Sequence, residues 1–189
     1  MSGHSTPQID PSQALKQLSI FDAHISIPLT KGYVTVVSPE DSDLEGFKWF
    51  AQPRRNTVYA IRTIRLKEDG SRSTQCLHRV ILQRILGRSL ARNEFVDHRD
   101  GDGLNNHREN LRVATHTENM RNQRKSSANT SGYKGVCWHK HVRKWTVQIS
   151  VNGKYVYLGY FDDIEDAAAA YRQAADKHHG EFANYGDET

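Results

Sequence analysis

A polar segment between two short apolar runs constrains the fold of this 189-residue chain more than any other part of it. The runs Glu94 to His98 and Asn110 to Ala114 resemble strands, and the loop between them is rich in Gly, Asp and Asn. Thr115 and Glu118 stand at the spacing of a capping box, which predicts a helix to about Lys125. The segment therefore predicts a strand, a loop, a second strand and a helix, on which side chains from different elements can converge.

Asp97, His98 and Asn119 in this segment offer chemistry that a folding core does not need. Phosphodiester hydrolysis requires a deprotonated water, a Lewis acid at the phosphate and relief for the departing oxyanion. An imidazole has an unperturbed pKa of about 6.5, so His98 can take a proton from water. Carboxylate and amide oxygens favour Mg²⁺ over zinc as the metal. Neighbours on a strand point to opposite faces, so the end of this strand must twist or bulge for both side chains to reach one phosphate.

The chain before this segment is predicted to be rich in strands, with one helix. Short strands are expected at Tyr33 to Val37, Phe47 to Phe50 and Thr57 to Ile61, because turn residues separate these β-branched and aromatic runs. Apolar residues at helical spacing predict a helix from Cys76 to Leu86 that stops near Gly87. We expect residues 1–19 to be a polar tail and residues 20–125 to form the first domain.

A second domain is predicted over residues 133–189, after a small polar linker at 126–132. Asn152-Gly153 is a hairpin signal between two of its three strand-like runs, and Asp162 or Asp163 can cap a following alanine-rich helix. The runs are Gly135 to Trp138, Lys144 to Val151 and Lys154 to Tyr160. The helix has a narrow stripe of mostly small residues that can lie close on a sheet: Ala167, Ala168, Tyr171, Ala174 and Ala175. The fold class is therefore α+β, ending in a three-stranded antiparallel sheet with one packed helix and one free face.

Positive charge is concentrated in the middle of the chain. Residues 71–129 carry 11 Lys/Arg against 6 Asp/Glu, and residues 130–161 carry 5 against none, whereas the net charge of the whole chain is only +4. A basic stretch of this kind is the electrostatic footprint of binding along phosphates. The sequence shows neither a signal peptide nor a membrane-length apolar run, so we expect an intracellular protein in the cytoplasm or nucleoid of a host cell. The two cysteines, Cys76 and Cys137, are too few for a disulfide framework or a four-thiolate zinc site.

The segment from about Leu77 to Asn122 resembles the HNH nucleases, also called His-Me finger or ββα-metal nucleases, in the subgroup of phage and intron homing endonucleases. The resemblance is carried by Leu77-His78-Arg79, Asp97-His98, Asn110-Leu111-Arg112 and Glu118-Asn119. It implies that His98 is the general base, and that Asp97 and Asn119 hold Mg²⁺ or another divalent cation such as Mn²⁺. It also implies that the amide of Asn110 ties the loop that orients the base. The third letter of HNH is usually His, and here it is Asn119.

The segment from Ser131 to about Tyr185 resembles the Apetala-two, or ethylene-response-factor, DNA-binding fold. Its pattern is seen in Tyr133-Lys134-Gly135-Val136, Lys144-Trp145, Leu158-Gly159-Tyr160-Phe161 and the helix at Ala167 to Tyr171. In that family the sheet lies in the major groove. The matching positions are Lys134, Trp138, Lys140, Arg143, Trp145, Gln148 and Tyr157. Cys137 replaces an arginine of the plant factors and Tyr157 a tryptophan, which reduces the expected sequence specificity because arginine to guanine is the commonest specific base contact.

The sequence as a whole predicts a metal-dependent endonuclease that acts on double-stranded DNA as a monomer, without a small-molecule cofactor or a membrane partner. One alternative is a DNA-binding regulator whose HNH module is inactive. Another is a nuclease directed at RNA or at a particular nucleic-acid structure, since phosphate chemistry alone does not distinguish substrates. His78 is expected to back the site rather than act as the base, and the face that Trp145 takes is left open.

Overall fold

The computed structural model describes residues 23–54, 57–65, 70–122, 125 and 128–186. The predicted tail at residues 1–19 lies outside these ranges, and so do residues 126 and 127 of the predicted linker. Within them the chain is a mixture of short strands, small sheets and a few helices, which confirms the α+β class. No helix among the described residues is long and apolar enough to cross a membrane.

The described residues before the polar segment contribute to two three-stranded sheets, and the third strand of the first sheet comes from the polar segment itself. In the first, β1 (Ile25–Pro28) pairs antiparallel with β2 (Val34–Val37). The sequence predicted a strand at β2 but none at β1. In the other, β3 (Phe50–Pro53), β4 (Val58–Arg65) and β5 (Arg72–Cys76) form an antiparallel meander. The meander runs directly into helix α1 (Leu77–Leu86), which ends at Gly87 with a φ of 64°. This helix and its stop at a glycine in the left-handed region are confirmed.

The strand predicted at Phe47 to Phe50 is wrong, because only Phe50 belongs to a strand. Side-chain contacts, rather than strand pairing, hold the residues before it. The Trp49 indole is 2% exposed and donates a hydrogen bond to the Leu44 carbonyl at 2.9 Å. The Arg62 guanidinium lies 4.0 Å from the ring centre of Phe47.

The polar segment folds as a hairpin followed by a helix. Strands β6 (Phe95–His98) and β8 (Leu111–Ala114) pair antiparallel, and helix α2 (His116–Arg121) follows. The loop between the strands contains β7 (Asn105–Asn106), which pairs parallel with β2 and was not predicted. Both hydrogen bonds of the predicted capping box are present. The helix ends at Arg121, before the predicted end near Lys125, and Asn122 after it turns its side chain toward β6.

The last part of the chain has the predicted sheet and helix. Strands β9 (Val136–His139), β10 (Lys144–Val151) and β11 (Lys154–Phe161) form an antiparallel sheet in the order β11-β10-β9. Helix α3 (Ile164–His179) packs on β10. The Asp163 side chain caps the start of this helix by accepting a hydrogen bond from the backbone N–H of Glu165 at 2.6 Å. All five residues of the predicted stripe on this helix are buried.

Two separate groups of buried side chains form the cores. The first joins the N-terminal strands to α1 and to Leu111 of β8. The second lies between α3 and the last sheet, with Val147 and Ile149 at its centre. Two cores are what two domains require, and the boundaries given above for the domains and linker stay a prediction.

Candidate nuclease site and nucleic-acid face

Asp97 and His98 are the last two residues of β6 and point to opposite faces of the hairpin. Asp97 lies opposite Arg112 on β8, and His98 lies opposite Leu111. Both side chains are well buried, at 3% and 6% residue exposure. The pairing has no register shift, so the bulge that the sequence analysis allowed for at this strand end is not seen, and the two residues have different neighbours.

The His98 side faces β4, α1 and the polar loop. Its Nε2 lies 3.4 Å from Oδ1 of Asn106, which is itself fully buried. The ring centre is 5.3 Å from that of His78 in an edge-to-face arrangement, and 6.0 Å from that of Tyr59. Burial lowers the pKa of His98, while the hydrogen bond to Asn106 opposes this effect. The imidazole is therefore neutral near pH 7, as a general base must be.

His78 backs His98 from α1. Its pKa is lowered to about 3, mainly by burial and further by the neighbouring His98 and Arg79. Its Nδ1 is buried without a hydrogen-bond partner in the part of the chain that the structure describes. A histidine that stays neutral throughout the physiological range contributes packing against His98 and no charge.

The amide of Asn110 holds the loop in place. Its Nδ2 donates to Oδ1 of Asp100 at 2.9 Å and to the carbonyl of Asn105 at 2.7 Å, and its Oδ1 accepts from the backbone N–H of Asp100 at 3.1 Å. Asn110 thus ties both ends of residues 100–105, and the next residue, Asn106, contacts His98. Through this loop Asn110 positions the partner of the proposed base.

Asp97 is the centre of a buried polar cluster on the other face. Nε of Arg112 donates to its Oδ2 at 2.7 Å, and Nδ2 of Asn122 lies 3.1 Å from both carboxylate oxygens. Asn122 also donates to the His98 carbonyl at 2.7 Å. Arg112 donates in addition to the carbonyl of Glu181, so the cluster contacts the segment that follows α3.

Asn122 is a site residue that the sequence analysis missed. It lies three residues after Asn119, and residues three apart share a helix face, so its spacing could have identified it. Asn119 itself lies in α2, and its backbone N–H bonds to the Thr115 carbonyl at 3.0 Å. Across the described ranges its half-buried side-chain amide makes no hydrogen bond, so its oxygen is available to a ligand.

The donor set suits a hard cation with several water ligands. Each oxygen of a carboxylate has two lone pairs, and among the described residues Oδ1 of Asp97 accepts only the bond from Asn122. One lone pair of Asp97 and the amide oxygen of Asn119 are compatible with Mg²⁺, which keeps several waters in protein sites. No group of three or more His, Cys, Asp or Glu residues that could hold a metal is found within the described residues, which argues against a closed zinc-type site.

The free face of the last sheet is aromatic and polar. On β10, Val147 and Ile149 are buried under α3, whereas the alternating residues Gln148 and Ser150 are exposed on the opposite face. Cross-strand partners share a face, so Tyr155, Tyr157 and Tyr160 on β11 belong with them. These three tyrosines are 76%, 56% and 42% exposed. Of the predicted DNA-binding residues, Gln148 and Tyr157 are therefore on the free face, and Lys140 and Arg143 are exposed in the β9–β10 turn.

The other three predicted DNA-binding residues are not on this face. Trp145 has the same alternation as Val147 and packs against the second core, and Trp138 is its cross-strand partner at a ring-centre distance of 5.0 Å. The face of Trp145, left open by the sequence, is thus the helix side. The ammonium of Lys134 donates to the Arg121 carbonyl of α2 at 2.7 Å.

Comparison with known proteins agrees with this division of the chain. The model of the HNH endonuclease family matches residues 75–121, and the model of the AP2 domain matches residues 131–181. Protein 3.8 of Escherichia phage T7 is 36% identical over 91 residues, which are 48% of this chain and 74% of the phage protein. The ethylene-responsive transcription factor WRI1 of Arabidopsis thaliana is 41% identical over 56 residues, 29% of this chain and 13% of the plant protein.

No solved structure matches the chain. The resemblances stated from the sequence are confirmed by both family models. The chain belongs to the family of the phage T7 Protein 3.8, and it joins an HNH endonuclease domain to a C-terminal AP2 domain.

Proposed function

We propose that the chain is a divalent-metal-dependent endonuclease of double-stranded DNA, in which the HNH domain hydrolyses a phosphodiester and the AP2 sheet holds the duplex. The observation that carries the proposal is the placement of His98. This buried, neutral imidazole contacts Asn106, at the end of a loop that Asn110 fixes, inside the segment that matches the HNH endonuclease family. The proposal includes the ββα-metal arrangement of β6, β8 and α2.

His98 acts as the general base in this proposal. When its Nε2–H donates to Oδ1 of Asn106, the neutral ring keeps a lone pair on Nδ1. That lone pair accepts a proton from the attacking water. The Nδ2 of Asn106 donates to the Thr35 hydroxyl at 2.8 Å and to the Gly103 carbonyl at 3.3 Å. These two bonds orient the amide so that its oxygen faces His98, which favours the tautomer with the proton on Nε2.

Asp97 and Asn119 are the proposed holders of the cation, which we propose to be Mg²⁺ or Mn²⁺. When bound, the ion polarises the scissile phosphate and stabilises the leaving oxyanion. Arg112 and Asn122 orient the Asp97 carboxylate by donating to it. Such outer partners fix a ligand before the metal arrives.

The AP2 sheet contributes affinity for the duplex through its free face and the adjacent turn. Gln148 and Tyr157 on the face, with Lys140 and Arg143 in the turn, are the proposed contacts. The excess of 5 Lys/Arg and no Asp/Glu over residues 130–161 favours phosphate binding. The exposed side chains of these strands include no arginine, so we propose mainly electrostatic and aromatic contacts with weak sequence specificity.

Incubation with supercoiled plasmid tests this function. We expect conversion to nicked circles with Mg²⁺ or Mn²⁺ and none with EDTA, because a monomer with one site breaks one strand at a time. Duplex, single-stranded and RNA substrates of the same sequence should be compared, with the duplex cut fastest. Retention of duplex in a gel shift, without cleavage under either metal, would support the alternative of a DNA-binding regulator with an inactive HNH domain.

The two faces of the AP2 sheet predict different effects for two aromatic residues. Tyr157→Ala on the free face should weaken duplex binding by about 5- to 30-fold, or about 1–2 kcal/mol, as loss of an aromatic contact at an interface does. Trp138→Ala, on the helix side of the sheet, is the matched control and should leave the affinity close to that of the wild type. Fluorescence anisotropy with a labelled duplex at fixed salt measures both. Equal weakening by the two variants would contradict the assigned faces.

A further inference from the structure

A cavity of about 340 Å³ lies where α2 meets the hairpin of β10 and β11. Helix α2 contributes His116, Met120 and Arg121, and the hairpin contributes Asn152 and Tyr155. The remaining wall includes Lys134 and, from α3, His179. The cavity thus lies between the HNH and AP2 segments, and it is separate from the pair Asp97 and His98.

The lining of this cavity is basic. Arg121, Lys134, His116 and His179 line it, and no Asp or Glu does so among the described residues. Arg121 has no carboxylate within ion-pair distance in the described part of the chain, and its Nη2 donates to the neutral Asn152 amide oxygen at 3.0 Å. A guanidinium of this kind is well suited to hold an anion.

Two buried nitrogen atoms at the cavity have no hydrogen-bond partner within the described residues. They are Nε of Arg121 and Nδ1 of His179. His179 is 7% exposed, and its other nitrogen, Nε2, donates to the Ser150 carbonyl at 2.8 Å. Buried polar atoms without a partner cost stability. The side chains that cover these two atoms must shift before a bound ligand can supply the missing partners.

We propose that this cavity is a phosphate-binding site, in which Arg121 and His179 donate to phosphate oxygens. The phosphate belongs either to the backbone of bound DNA or to a free nucleotide. A nucleotide unit suits the volume, since sites for small molecules begin at about 300 Å³. The site is distinct from the proposed cleavage centre and does not depend on its activity.

His179 gives the site a dependence on pH. Burial lowers its pKa, and Arg121 from α2, Lys134 before β9 and His178 on its own helix lower it further. The other titratable groups of the lining are His116, Tyr155 and Tyr171, and no carboxylate is among the described residues that line the cavity. A bound phosphate reverses this balance, so that the ring takes up a second proton and Nδ1 becomes a donor. A phosphodiester, whose charge does not change between pH 6 and pH 8, should therefore bind more tightly at pH 6 than at pH 8.

Titration of the isotope-labelled full chain with methyl phosphate and thymidine 5′-monophosphate, without divalent metal, tests the proposal by NMR. Backbone signals of residues 116–121 and 150–153 should shift with a common dissociation constant. Arg121→Gln should raise this constant by about 10- to 100-fold, as expected for loss of a hydrogen bond to a charged group. Lys177→Gln, which removes one positive charge from an exposed position of α3, is the matched control and should have no effect.

Two further measurements complete the test. Arg121→Lys keeps the charge and loses Nε, so it should bind phosphate more weakly than the wild type even if the glutamine variant does not fold. If the phosphate is that of DNA, Arg121→Gln should also reduce the salt slope of duplex binding by about one. If the slope is unchanged and thymidine monophosphate binds, the ligand is a free nucleotide. Absence of shifts at both segments, or equal weakening by Lys177→Gln, would overturn the site, and neither result depends on whether the protein cleaves DNA.

Discussion

His98→Ala is expected to reduce the rate of Mg²⁺-dependent plasmid cleavage by about 10²- to 10⁴-fold, the usual contribution of a general base. The reason is geometric, since His98 contacts Asn106 and Asn110 holds the loop that ends at Asn106. Duplex binding should change little, because the ring is 6% exposed and contributes no charge near neutral pH. A cleavage time course and an anisotropy titration on the same preparation separate these two effects.

The matched control for this variant is His178→Ala, which removes an exposed histidine of α3. It should cleave at the wild-type rate. The pH profile adds a second test, because the pKa of His98 lies below that of a free histidine. The base is active in its neutral form, so cleavage by the wild type should decline on acidification only at a pH below the range in which a free histidine takes up its proton. Equal rates for the wild type and His98→Ala would remove His98 from the mechanism.

Local sequence patterns predicted the elements that carry the site. The capping box at Thr115 and Glu118, the stop at Gly87 and the hairpin at Asn152-Gly153 each depend on residues within a few positions of one another. The same is true of the buried stripe on α3. These features are set by backbone geometry and by helical or strand periodicity, which a single sequence displays directly.

Features that depend on distant partners could not be predicted in this way. β7 pairs in parallel with β2, about 70 residues earlier, and Asn106 is thereby placed beside His98. Arg112 and Asn122 converge on Asp97 from different elements. Lys134 resembled a DNA contact in sequence, but its ammonium donates to α2 instead. In each case the decisive contact is between elements, and strand or helix periodicity carries no information about it.

The buried partners of Asp97 predict that its replacement has two separate effects. Asp97→Ala leaves Arg112, whose side chain is 7% exposed, without its main carboxylate partner. Removal of one member of a buried ion pair costs about 3–5 kcal/mol of folding free energy. Chemical denaturation measures this loss, and cleavage should also be lost because a proposed ligand is missing. An activity assay alone therefore cannot distinguish the two roles of Asp97.

Asp41→Ala is the matched control, because it also removes a buried carboxylate with arginine partners. Asp41 is 0% exposed and accepts from Arg84 at 3.0 Å and from Arg108 at 2.7 Å, away from the proposed cation. It should be destabilised to a similar extent, yet the folded fraction should still cleave. Cleavage by Asp97→Ala, measured well below its unfolding temperature and corrected for the folded fraction, should be absent.

Asn119→Ala isolates the role of the proposed ligand from that of the buried cluster. The half-buried Asn119 side chain makes no hydrogen bond within the described residues, so its truncation should change the free energy of unfolding by less than about 1 kcal/mol. Cleavage should nevertheless fall by at least about tenfold, since the loss of a metal-site partner typically costs 10- to 100-fold in metal affinity or activity. The loss should be partly recovered at high Mg²⁺ concentration, because the remaining ligand still binds the ion weakly. A stable variant that cleaves at the wild-type rate at low Mg²⁺ would exclude Asn119 as a ligand, and it would leave Asp97 with Arg112 and Asn122 as a structural cluster rather than a metal site.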